Sequence, residues 1–519
     1  QKVIVGHAVR GTLLWTGVVA AALENGRGDY LAAASRVWEN MVERRMYVTG
    51  GVGAVAEYEG FGKDYELPNT GYLETCASVG AGFFHEQMAR AFADARYADE
   101  LERVLYNGVL SGVSDRGDSY FYENPLLSSS DHRRWSWHSC PCCPPMFLKI
   151  TGSLPGYLYA TDADSLYVNQ YIGSRAKLAI KGTDVALRQT TRYPWDGEIT
   201  LQVDPAREAE FAINLRLPSW CVEPKLRVNH EPVQAIETVR GYAKLQRTWK
   251  PGDVVELSLP MPVRRIKADP KVEANVGRVA LARGPIVYCI EAIDNDGHGR
   301  DLYLPPDAPL AAEFRPDLFG GMMVVKGKAA IREADPVNRP SPYEFTAIPY
   351  FTNTNREPTA MLVWLADTPE KAQRSSLATQ ATATASHCNP ADTVTALNDQ
   401  TEGPASSDDS TIRRFTWWDH RGTEEWVQYD FAREETVSAV EVYWWDERRI
   451  QRHCRVPSSW RLLYQSAEGW KPVSGASDYG TQIDRFNRVT FDPVKTKALR
   501  IEVKLQPEWS GGILEWIVE

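Results

Sequence analysis

TLLWTGVVAAAL, residues 12–23, carries apolar side chains at the three- and four-residue spacing of an α-helix. A glycine-containing stop follows this run, and a pair of prolines suits the first turn of another helix later in the chain. The first part of the chain is therefore expected to be helical. About five helices are predicted, at about residues 12–23, 30–46, 77–96 and 99–111 and directly after Pro144 and Pro145.

Beyond about residue 157 the apolar period changes to two, as in SLYVNQYI at 165–172 and VVELSL at 254–259. This alternation predicts an antiparallel β-sandwich with an excursion at residues 293–345. A polar, small-residue segment, SSLATQATAT at 375–384, then precedes a second strand-rich block. The prediction is a multidomain α plus β chain in three parts, which are residues 1–155, 156–371 and 372–519.

The length of 519 residues exceeds what one hydrophobic core usually supports, which also favours several domains. The net charge of −10 argues against a nucleic-acid partner and favours a neutral ligand. No apolar stretch reaches the ~18 residues that a membrane helix needs, so we expect no membrane span. The sequence starts with QKVIVGH, which has neither a start Met nor a signal-peptide pattern, so we expect that Gln1 is not the native N-terminus.

Four of the eight cysteines fall in the first third of the chain, at two predicted loop-to-helix junctions. One junction is Glu74-Thr75-Cys76, and the other is CPCCPP at residues 140–145. Thiolates with one carboxylate suit zinc, although the spacing differs from paired Cys-x-x-Cys motifs. A vicinal disulfide between Cys142 and Cys143, or unpaired buried thiols, stay open as alternatives. The other four cysteines are expected to be structural: Cys221, Cys289, Cys388 and Cys454.

An acidic, glycine-rich loop, EYEGFGKDYELPN at residues 57–69, supplies several carboxylates shortly before Glu74. Cleavage of a glycosidic bond needs a general acid beside a nucleophile, so this loop is a candidate for that role. A solvated turn is the plain alternative, because Asp and Glu are common in exposed loops. His7, at a helix start, and His138, just before the cysteines, are either sugar-contacting donors or structural residues.

Five motifs stand in order along the first part of the chain: VGHAVR (5–10), MYVTGGVG (46–53), EGF (59–61) with DYELPN (64–69), YLETCA (72–77) and WHSCPCCPP (137–145). Together they resemble glycoside hydrolase family 127, the β-L-arabinofuranosidases and their relatives. The resemblance implies a retaining, exo-acting hydrolase that releases β-L-arabinofuranose from plant-type glycans. Such a role would place the protein in the periplasm or outside the cell.

The resemblance also implies roles for particular residues. In that family a zinc ion is held by one Glu and three Cys, which correspond here to Glu74, Cys76, Cys142 and Cys143. The first Cys of the adjacent pair attacks the anomeric carbon, so Cys142 is the implied nucleophile. The acid/base Glu stands two residues before a Phe, which matches Glu59 rather than Glu57. The His of the Gly-His-x-Val-Arg motif implies sugar binding by His7.

Family members share an (α/α)6 barrel followed by β-sandwich modules, so residues 1–155 resemble the C-terminal half of that barrel. The N-terminal half is expected on the same chain or on another one, and an oligomer would be compatible with either. Met146, where relatives often have Asn, and a shorter loop between Asn69 and Glu74 weaken the assignment of arabinofuranose. Two alternatives stay open: a hydrolase of an acidic or anhydro sugar of pectin or algal polysaccharide, and a non-catalytic, zinc-braced carbohydrate-binding protein.

The C-terminal block has its own motifs, EEWVQYDF (424–431), VEVYW (440–444) and CRVPSSW (454–460). They resemble a coagulation factor 5/8 type C, or discoidin-like, jelly roll. Such modules often bind sugars, which makes Trp417, Trp418 and Trp445 candidates for a sugar platform. The competing interpretation is that these aromatic side chains form the core of the module.

Overall fold

The computed structural model describes residues 1–332, 341–379, 381–401, 403, 405–407 and 413–519. The described chain is built mainly of strands, and its α-helices lie in the N-terminal part. They are α1 (Ala8–Asn25), α2 (Gly28–Arg44), α3 (Thr75–Phe92), α4 (Ala95–Val104) and α5 (Cys143–Ser153). The prediction of about five helices is therefore confirmed over the described residues. None of these helices is both long and apolar enough to cross a membrane.

The predicted bounds of the third and fourth helices were wrong. α3 ends at Phe92, because Ala93 adopts a left-handed backbone conformation with a φ of 46°. α4 then begins at Ala95, where the Asp94 side chain accepts a hydrogen bond of 3.1 Å from the backbone N–H of Arg96. Beyond α4 the chain continues to Gly112 as a π-helical turn and a 3-10 turn rather than as an α-helix.

Strand β1 (Leu127–Ser128) precedes α5, and the strands that follow α5 form two packed sheets. These strands are β2 (Tyr159–Thr161), β3 (Ser165–Val168), β4 (Ser174–Ile180), β5 (Thr183–Thr191), β6 (Glu198–Pro205), β7 (Ala209–Arg216), β8 (Lys225–Val228), β9 (Glu231–Pro232), β10 (Thr238–Val239), β11 (Tyr242–Trp249) and β12 (Asp253–Ser258). The sheet orders are β10-β11-β7-β3-β2 and β4-β5-β6-β12-β8-β9, and the two sheets share one apolar core. β3 pairs with β7 in parallel, which corrects the prediction of a purely antiparallel sandwich.

The next part of the chain forms a ten-stranded sheet that also includes β1. Its other strands are β13 (Val263–Ile266), β14 (Arg278–Arg283), β15 (Ile286–Glu291), β16 (Leu302–Tyr303), β17 (Leu310–Arg315), β18 (Met322–Ile331), β19 (Ser341–Pro349), β20 (Met361–Leu362) and β21 (Trp364–Ala366). The predicted excursion at 293–345 is part of this sheet, except that residues 333–340 lie outside the described residues. Because β1 pairs with β20, the sheet extends to the irregular stretch that precedes α5.

The C-terminal domain is a seven-stranded arrangement around an aromatic core. Its strands are β22 (Thr382–Ala385), β23 (Phe415–Thr416), β24 (Glu424–Trp445), β25 (Ser459–Ser466), β26 (Gly469–Pro472), β27 (Phe486–Lys504) and β28 (Gly512–Val518). β24 pairs with β27 through two register shifts between residues 430 and 439. The shifts bend the long strand, so that one end of β24 pairs with β22 and the other with β28. Gln380, in the predicted linker, lies outside the described residues.

A buried ion-pair cluster joins the helical part to the first pair of sheets. It consists of Arg216 at the end of β7 and of Asp99 and Glu102 on α4. The Arg216 guanidinium lies 2.6 Å from the Asp99 carboxylate and 2.5 Å from the Glu102 carboxylate. Arg216 Nε also donates to the backbone carbonyl of Asn169 at 2.6 Å. The cluster fixes α4, and with it the neighbouring helix α3, against the strands.

Candidate active site

The N-terminal ends of α3 and α5 meet and carry the predicted ligand residues. Glu74 directly precedes the first residue of α3, and Cys142 directly precedes the first residue of α5. Proline in the first turn of α5 suits a helix start, because that position has no intrahelical partner for an N–H group. Free N–H groups and the helix dipole favour negative charge at such ends. The fold thus brings two ends that favour anions to one point.

Glu74, Cys76, Cys142 and Cys143 form one compact group, named the thiol group below. Their ligand atoms all lie within 4.8 Å of one another. The Sγ atoms of Cys76 and Cys143 are 3.6 Å apart, and those of Cys142 and Cys143 are 3.8 Å apart. The Sγ atom of Cys142 lies 3.4 Å from Glu74 Oε1. Glu74 Oε2 is buried and has no hydrogen-bond partner among the described residues, so the group could bind a metal ion.

Burial and mutual contact set the protonation of the thiol group. Burial, followed by the negative charge of Cys142, raises the pKa of the Glu74 carboxyl to about 8. Hydrogen bonds with the Cys143 and Cys76 thiols hold the pKa of Cys142 well below its ordinary value. The same contacts with Cys142 raise the pKa of Cys76 and of Cys143. Cys142 is also the most exposed of the three cysteines in the thiol group.

Glu59 is held beside the thiol group because its loop folds back onto the start of α1. The backbone N–H of Ala8 donates to the Glu59 carbonyl at 2.8 Å, and that of Phe61 donates to the Gly6 carbonyl at 2.9 Å. The Glu59 backbone is left-handed, with a φ of 50°. At the next position a Cβ would meet the Tyr58 ring at 2.1 Å, so the turn requires Gly60.

The Glu59 carboxylate has two polar partners. His7 Nε2 lies 2.8 Å from Oε2, and the Tyr72 hydroxyl donates to Oε1 at 2.9 Å. Ligand atoms of His7, Glu59 and Glu74 lie within 4.8 Å of one another, which places Glu59 next to the thiol group. The other His7 nitrogen, Nδ1, is buried without a partner among the described residues. A substrate hydroxyl could therefore find both a carboxylate and an imidazole at this point.

The structure brings together the six residues that the family resemblance singled out, which are His7, Glu59, Glu74, Cys76, Cys142 and Cys143. Cys140 is exposed and lies outside this set. His138 stacks on Trp135, with ring centroids 4.3 Å apart, although its ring also lies 5.2 Å from that of Tyr122.

The alternative of a vicinal disulfide is wrong. All eight cysteines are free, and a bond between Cys142 and Cys143 would need sulfurs about 2.05 Å apart. Of the four cysteines expected to be structural, Cys289 is buried in strand β15 and Cys454 is buried between β24 and β25, while Cys221 and Cys388 are partly exposed.

Two tyrosines near the site were not predicted from the sequence. Tyr72 could have been suspected, because it stands two residues before Glu74 in the same motif. Tyr122, whose hydroxyl lies 3.3 Å from Cys142 Sγ, carried no such signal. Its placement depends on backbone pairing between Glu74 and Glu123, two residues that are distant in sequence.

The three tryptophans considered as a sugar platform do not form one. Trp417 and Trp445 are 0% exposed and belong to the interior of the C-terminal domain, so their assignment to a platform was wrong. The Trp418 ring stacks on His453 at 4.6 Å and has the Arg421 guanidinium 4.5 Å from its centroid. Two side chains therefore already lie against the Trp418 ring, which is partly exposed.

Three family models match consecutive parts of the chain. The β-L-arabinofuranosidase GH127 catalytic domain matches residues 1–156, and the GH127 middle domain matches residues 165–261. The family model named glycoside hydrolase family 127 C-terminal domain matches residues 263–366. These residues belong to the ten-stranded sheet and not to the part that is called the C-terminal domain above. The chain belongs to glycoside hydrolase family 127. The site described above therefore lies at helix starts within the part that matches the catalytic domain of family 127.

Individual family 127 proteins show the same likeness. A non-reducing end β-L-arabinofuranosidase from Bifidobacterium longum subsp. longum is 34% identical over 393 residues, which cover 69% of this chain and 58% of the relative. A solved family 127 β-L-arabinofuranosidase from Geobacillus stearothermophilus T6 is 42% identical, with a TM-score of 0.68 over 70% of this chain and 61% of that one. A second solved family 127 β-arabinofuranosidase is 36% identical, with a TM-score of 0.70 over 72% and 62%. The chain thus spans about three-fifths of the length of these relatives.

Proposed function

We propose that this family 127 chain carries the catalytic centre of a retaining, exo-acting glycoside hydrolase that releases β-L-arabinofuranose from plant-type glycans. The observation that carries the proposal is the meeting of Glu59 with the thiol group at the starts of α1, α3 and α5. The names of the relatives support the sugar, since they are β-L-arabinofuranosidases at 34% and 42% identity. The thiol group supplies a nucleophile and the Glu59 loop an acid.

Zinc fits the donors of the thiol group. Tetrahedral zinc, with bonds of about 2.3 Å to sulfur and about 2.0 Å to oxygen, needs donors about 3.8 Å apart between sulfurs and about 3.5 Å apart between sulfur and oxygen. The separations here are 3.6 and 3.8 Å between sulfurs and 3.4 Å from Cys142 Sγ to Glu74 Oε1. Zinc would be held by Glu74, Cys76, Cys142 and Cys143, and it would keep the Cys142 sulfur deprotonated and nucleophilic.

The reaction would proceed by two displacements at the anomeric carbon. In the first, the protonated Glu59 donates its proton to the glycosidic oxygen while the Cys142 sulfur attacks the anomeric carbon. The carbon–oxygen bond breaks, a carbon–sulfur bond forms, and the rest of the glycan leaves as an alcohol. In the second, the Glu59 carboxylate removes a proton from water, whose oxygen attacks the same carbon as the carbon–sulfur bond breaks. Two inversions retain the anomeric configuration.

His7 and Tyr72 would hold Glu59 in position for both steps. Their contacts of 2.8 and 2.9 Å reach the two different carboxylate oxygens, so the side chain is fixed from both sides. His7 would also bind the sugar, because its Nδ1 is buried and has no partner among the described residues. The ligand would be neutral, because the net charge of −10 disfavours an acidic one.

We further infer the arrangement of the whole protein. Residues 1–155 would form the C-terminal half of an (α/α)6 barrel, and the part of the relatives that this chain does not span would correspond to the other half. Residues 156–371 would form the β-sandwich domains. Residues 372–519 would be a discoidin-like jelly roll that assists glycan binding, which is supported by their motifs and their aromatic core.

Activity on an aryl β-L-arabinofuranoside, combined with intact-protein mass spectrometry, tests the proposal. We expect Cys142→Ser to lower kcat by at least about 10³-fold, because hydroxyl is a far weaker nucleophile than thiolate at this position. Glu59→Gln should slow the second step, so that a covalent adduct of one pentosyl unit accumulates on the peptide that contains Cys142.

Cys140→Ser is the matched control, because Cys140 lies two residues away but outside the thiol group. It should retain activity within about twofold. Full activity of Cys142→Ser would exclude Cys142 as the nucleophile. Bound zinc and affinity for glycans without turnover in the wild-type protein would instead support the non-catalytic alternative.

A further inference from the structure

A cavity of about 470 Å³ lies where the active-site loops meet the C-terminal domain. One wall comes from the loop before Glu74, including Thr70, and a second from the loop before α5, including Glu123 and His132. The third comes from Arg300, which precedes β16, and from Asp399, Thr401 and Arg413 of the C-terminal domain. Its volume falls within the range of sites for small organic ligands, about 300–1,000 Å³.

The cavity adjoins the candidate active site through the backbone. Thr70 stands two residues before Tyr72, whose hydroxyl contacts Glu59. Glu123 forms a backbone bridge with Glu74. The two loops that form the cavity are therefore the same two loops that hold the acid and the thiol group.

Two arginines cross the junction in opposite directions and hold the walls together. Arg413 of the C-terminal domain donates to Ser129 Oγ at 2.6 Å and pairs with Asp131, both in the loop before α5. Arg300, which precedes β16 and is half-buried, donates in turn to the Thr401 hydroxyl of the C-terminal domain. These charge-assisted contacts are partly exposed, and they connect the C-terminal domain to the loop before α5 and to the segment before β16.

The wall that comes from the loop before α5 has polar atoms without partners among the described residues. Ser128 Oγ and His132 Nε2 are both buried without a hydrogen-bond partner among the described residues. The His132 ring stacks on Phe121 at 4.5 Å, which fixes its plane. Burial lowers the pKa of His132 to about 4, so near neutral pH it offers an uncharged imidazole. Buried polar atoms of this kind normally have a partner, which a ligand hydroxyl could supply.

The charges around the cavity do not favour an acidic ligand. Arg413 is matched by Asp131, and Arg300 is attracted by Asp399 and Glu515. Glu123 adds a negative charge to the lining. Among the described lining residues, no cation remains without a carboxylate to bind the acid group of a uronate.

We propose that this cavity binds the neutral, polyhydroxylated part of a glycan chain that extends beyond the sugar to be cleaved. The proposal rests on the proposed function of the neighbouring site, and it makes the C-terminal domain a part of the substrate-binding surface. Ser128 and His132 would donate or accept hydrogen bonds with sugar hydroxyls. Arg300 and Arg413 would position the walls rather than contact the chain.

Calorimetric binding of the full chain tests this, with L-arabinose, a linear arabino-oligosaccharide of five residues and an oligogalacturonate of the same length as probes. Glu59→Gln serves as the background, because it keeps all four side chains of the thiol group and cannot protonate the leaving oxygen of an oligosaccharide, so that no probe is consumed. His132→Phe keeps the ring that stacks on Phe121 and removes only its hydrogen bonding. We expect it to raise the Kd for the five-residue arabino-oligosaccharide about fivefold or more and to leave that for L-arabinose unchanged.

His230→Phe is the matched control, because the His230 side chain is exposed in another domain. It should change neither Kd. Ser128→Ala, expected to weaken binding in the same way, replaces His132→Phe if thermal unfolding shows that the latter does not fold.

Equal Kd values for the five-residue probe in the background, His132→Phe and Ser128→Ala would overturn the proposal, as would the absence of binding by the background protein. Tighter binding of the oligogalacturonate than of the arabino-oligosaccharide would overturn the proposal that the ligand is neutral. The proposed function fails by a different result, a lack of hydrolysis by the protein with intact Cys142. A fivefold effect of His132→Phe on binding would then still support the cavity.

Discussion

The helical part of the molecule buries two clusters of acidic side chains, and they are built on opposite principles. The ion-pair cluster of Asp99, Glu102 and Arg216 contains its own cation. Glu102 also accepts a hydrogen bond of 2.6 Å from the Tyr193 hydroxyl, and the Ser219 N–H donates to Asp99 at 2.9 Å. Both carboxylates in this cluster thus share one guanidinium, and each accepts a further hydrogen bond within the chain.

The thiol group buries a carboxylate without a comparable partner. In the described part of the chain, no arginine or lysine pairs with Glu74, and Glu74 Oε2 has no hydrogen bond. Burial, followed by the negative charge of Cys142, raises the pKa of the Glu74 carboxyl to about 8. We infer from this difference that the buried carboxylates of Asp99 and Glu102, which have a cation of the chain beside them, stabilise the fold. The buried carboxylate of Glu74, which has none, instead indicates a binding site for a cation.

The largest expected effect is the loss of metal and stability when the thiol group is broken. Cys143→Ala removes one of four donors, so we expect the zinc content to fall from about one ion per chain to less than a tenth. Because metal binding contributes directly to folding, the free energy of unfolding should fall by about 5 kcal/mol or more. Elemental analysis and denaturant unfolding measure both quantities.

Cys289→Ala is the control, because Cys289 is equally buried but lies within strand β15. It should keep its metal. If Cys143→Ala also retained a full equivalent of zinc, the thiol group would not be a metal site, and the contrast between the two clusters would fail.

Breaking the ion-pair cluster should lower the stability of the protein without releasing the metal. Arg216→Met leaves the carboxylates of Asp99 and Glu102 buried without a cation, which costs about 3–5 kcal/mol in the free energy of unfolding. The zinc content should not change. Arg461→Met, which removes an exposed pair with Glu502, should cost less than about 1 kcal/mol and provides the reference. A loss of zinc in folded Arg216→Met would show that the two clusters are coupled.

The fold was predictable where periodicity is local. Helical spacing indicated α1 to α5, and alternation indicated the strands, because both patterns come from side chains a few residues apart. A break between α3 and α4 was predicted but placed about four residues too late, since its position depends on a single capping side chain, that of Asp94. The parallel pairing of β3 with β7 joins segments more than 40 residues apart, and no local pattern encodes such a partner.

The side chains of the thiol group were predictable as a group from the sequence, but their surroundings were not. Glu74 and the cysteines were recognisable because a carboxylate and several thiols stand at two helix starts. Tyr122 and Arg216 were not, because each gains its meaning from a residue distant in sequence: Tyr122 from Cys142, and Arg216 from Glu102. From the sequence alone, an arginine at the end of a strand is expected to be exposed. Arg216 is buried because α4 packs against the end of β7.

A buried base extends the comparison, with an expected effect of intermediate size. His85 on α3 is fully buried, and its Nδ1 accepts a hydrogen bond of 2.8 Å from Trp38 Nε1. Burial lowers the pKa of His85 to about 3, whereas the unfolded chain has the ordinary value of 6.5. Between these values the unfolded chain binds a proton that the folded chain does not. Stability is therefore complete above about pH 6.5 and falls by about 1.4 kcal/mol per unit as the pH is lowered below it.

Urea unfolding at pH 7.5, 6.5 and 5.0 measures this dependence. His85→Gln keeps an acceptor for Trp38 and removes the titrating group, so it should abolish about 2 kcal/mol of the loss between pH 6.5 and 5. His230→Gln, at an exposed position, should not alter the slope. An unchanged slope in His85→Gln would mean that His85 gains its proton without unfolding.

The smallest expected effect lies at the edge of the thiol group, where Tyr72 donates to Glu59 at 2.9 Å. Tyr72→Phe removes one hydrogen bond to the proposed acid and keeps the ring, so we expect kcat/KM on the aryl arabinofuranoside to fall about tenfold. A displaced Glu59 should also change the pH profile of kcat/KM, while the zinc content stays at one ion per chain.

Tyr47→Phe is the matched control, because the Tyr47 hydroxyl is buried without a partner among the described residues, and its loss should leave activity unchanged. Equal rates and pH profiles for Tyr72→Phe and Tyr47→Phe would show that Glu59 does not depend on Tyr72 for its position. The thiol group and its two helix starts would then suffice to define the site.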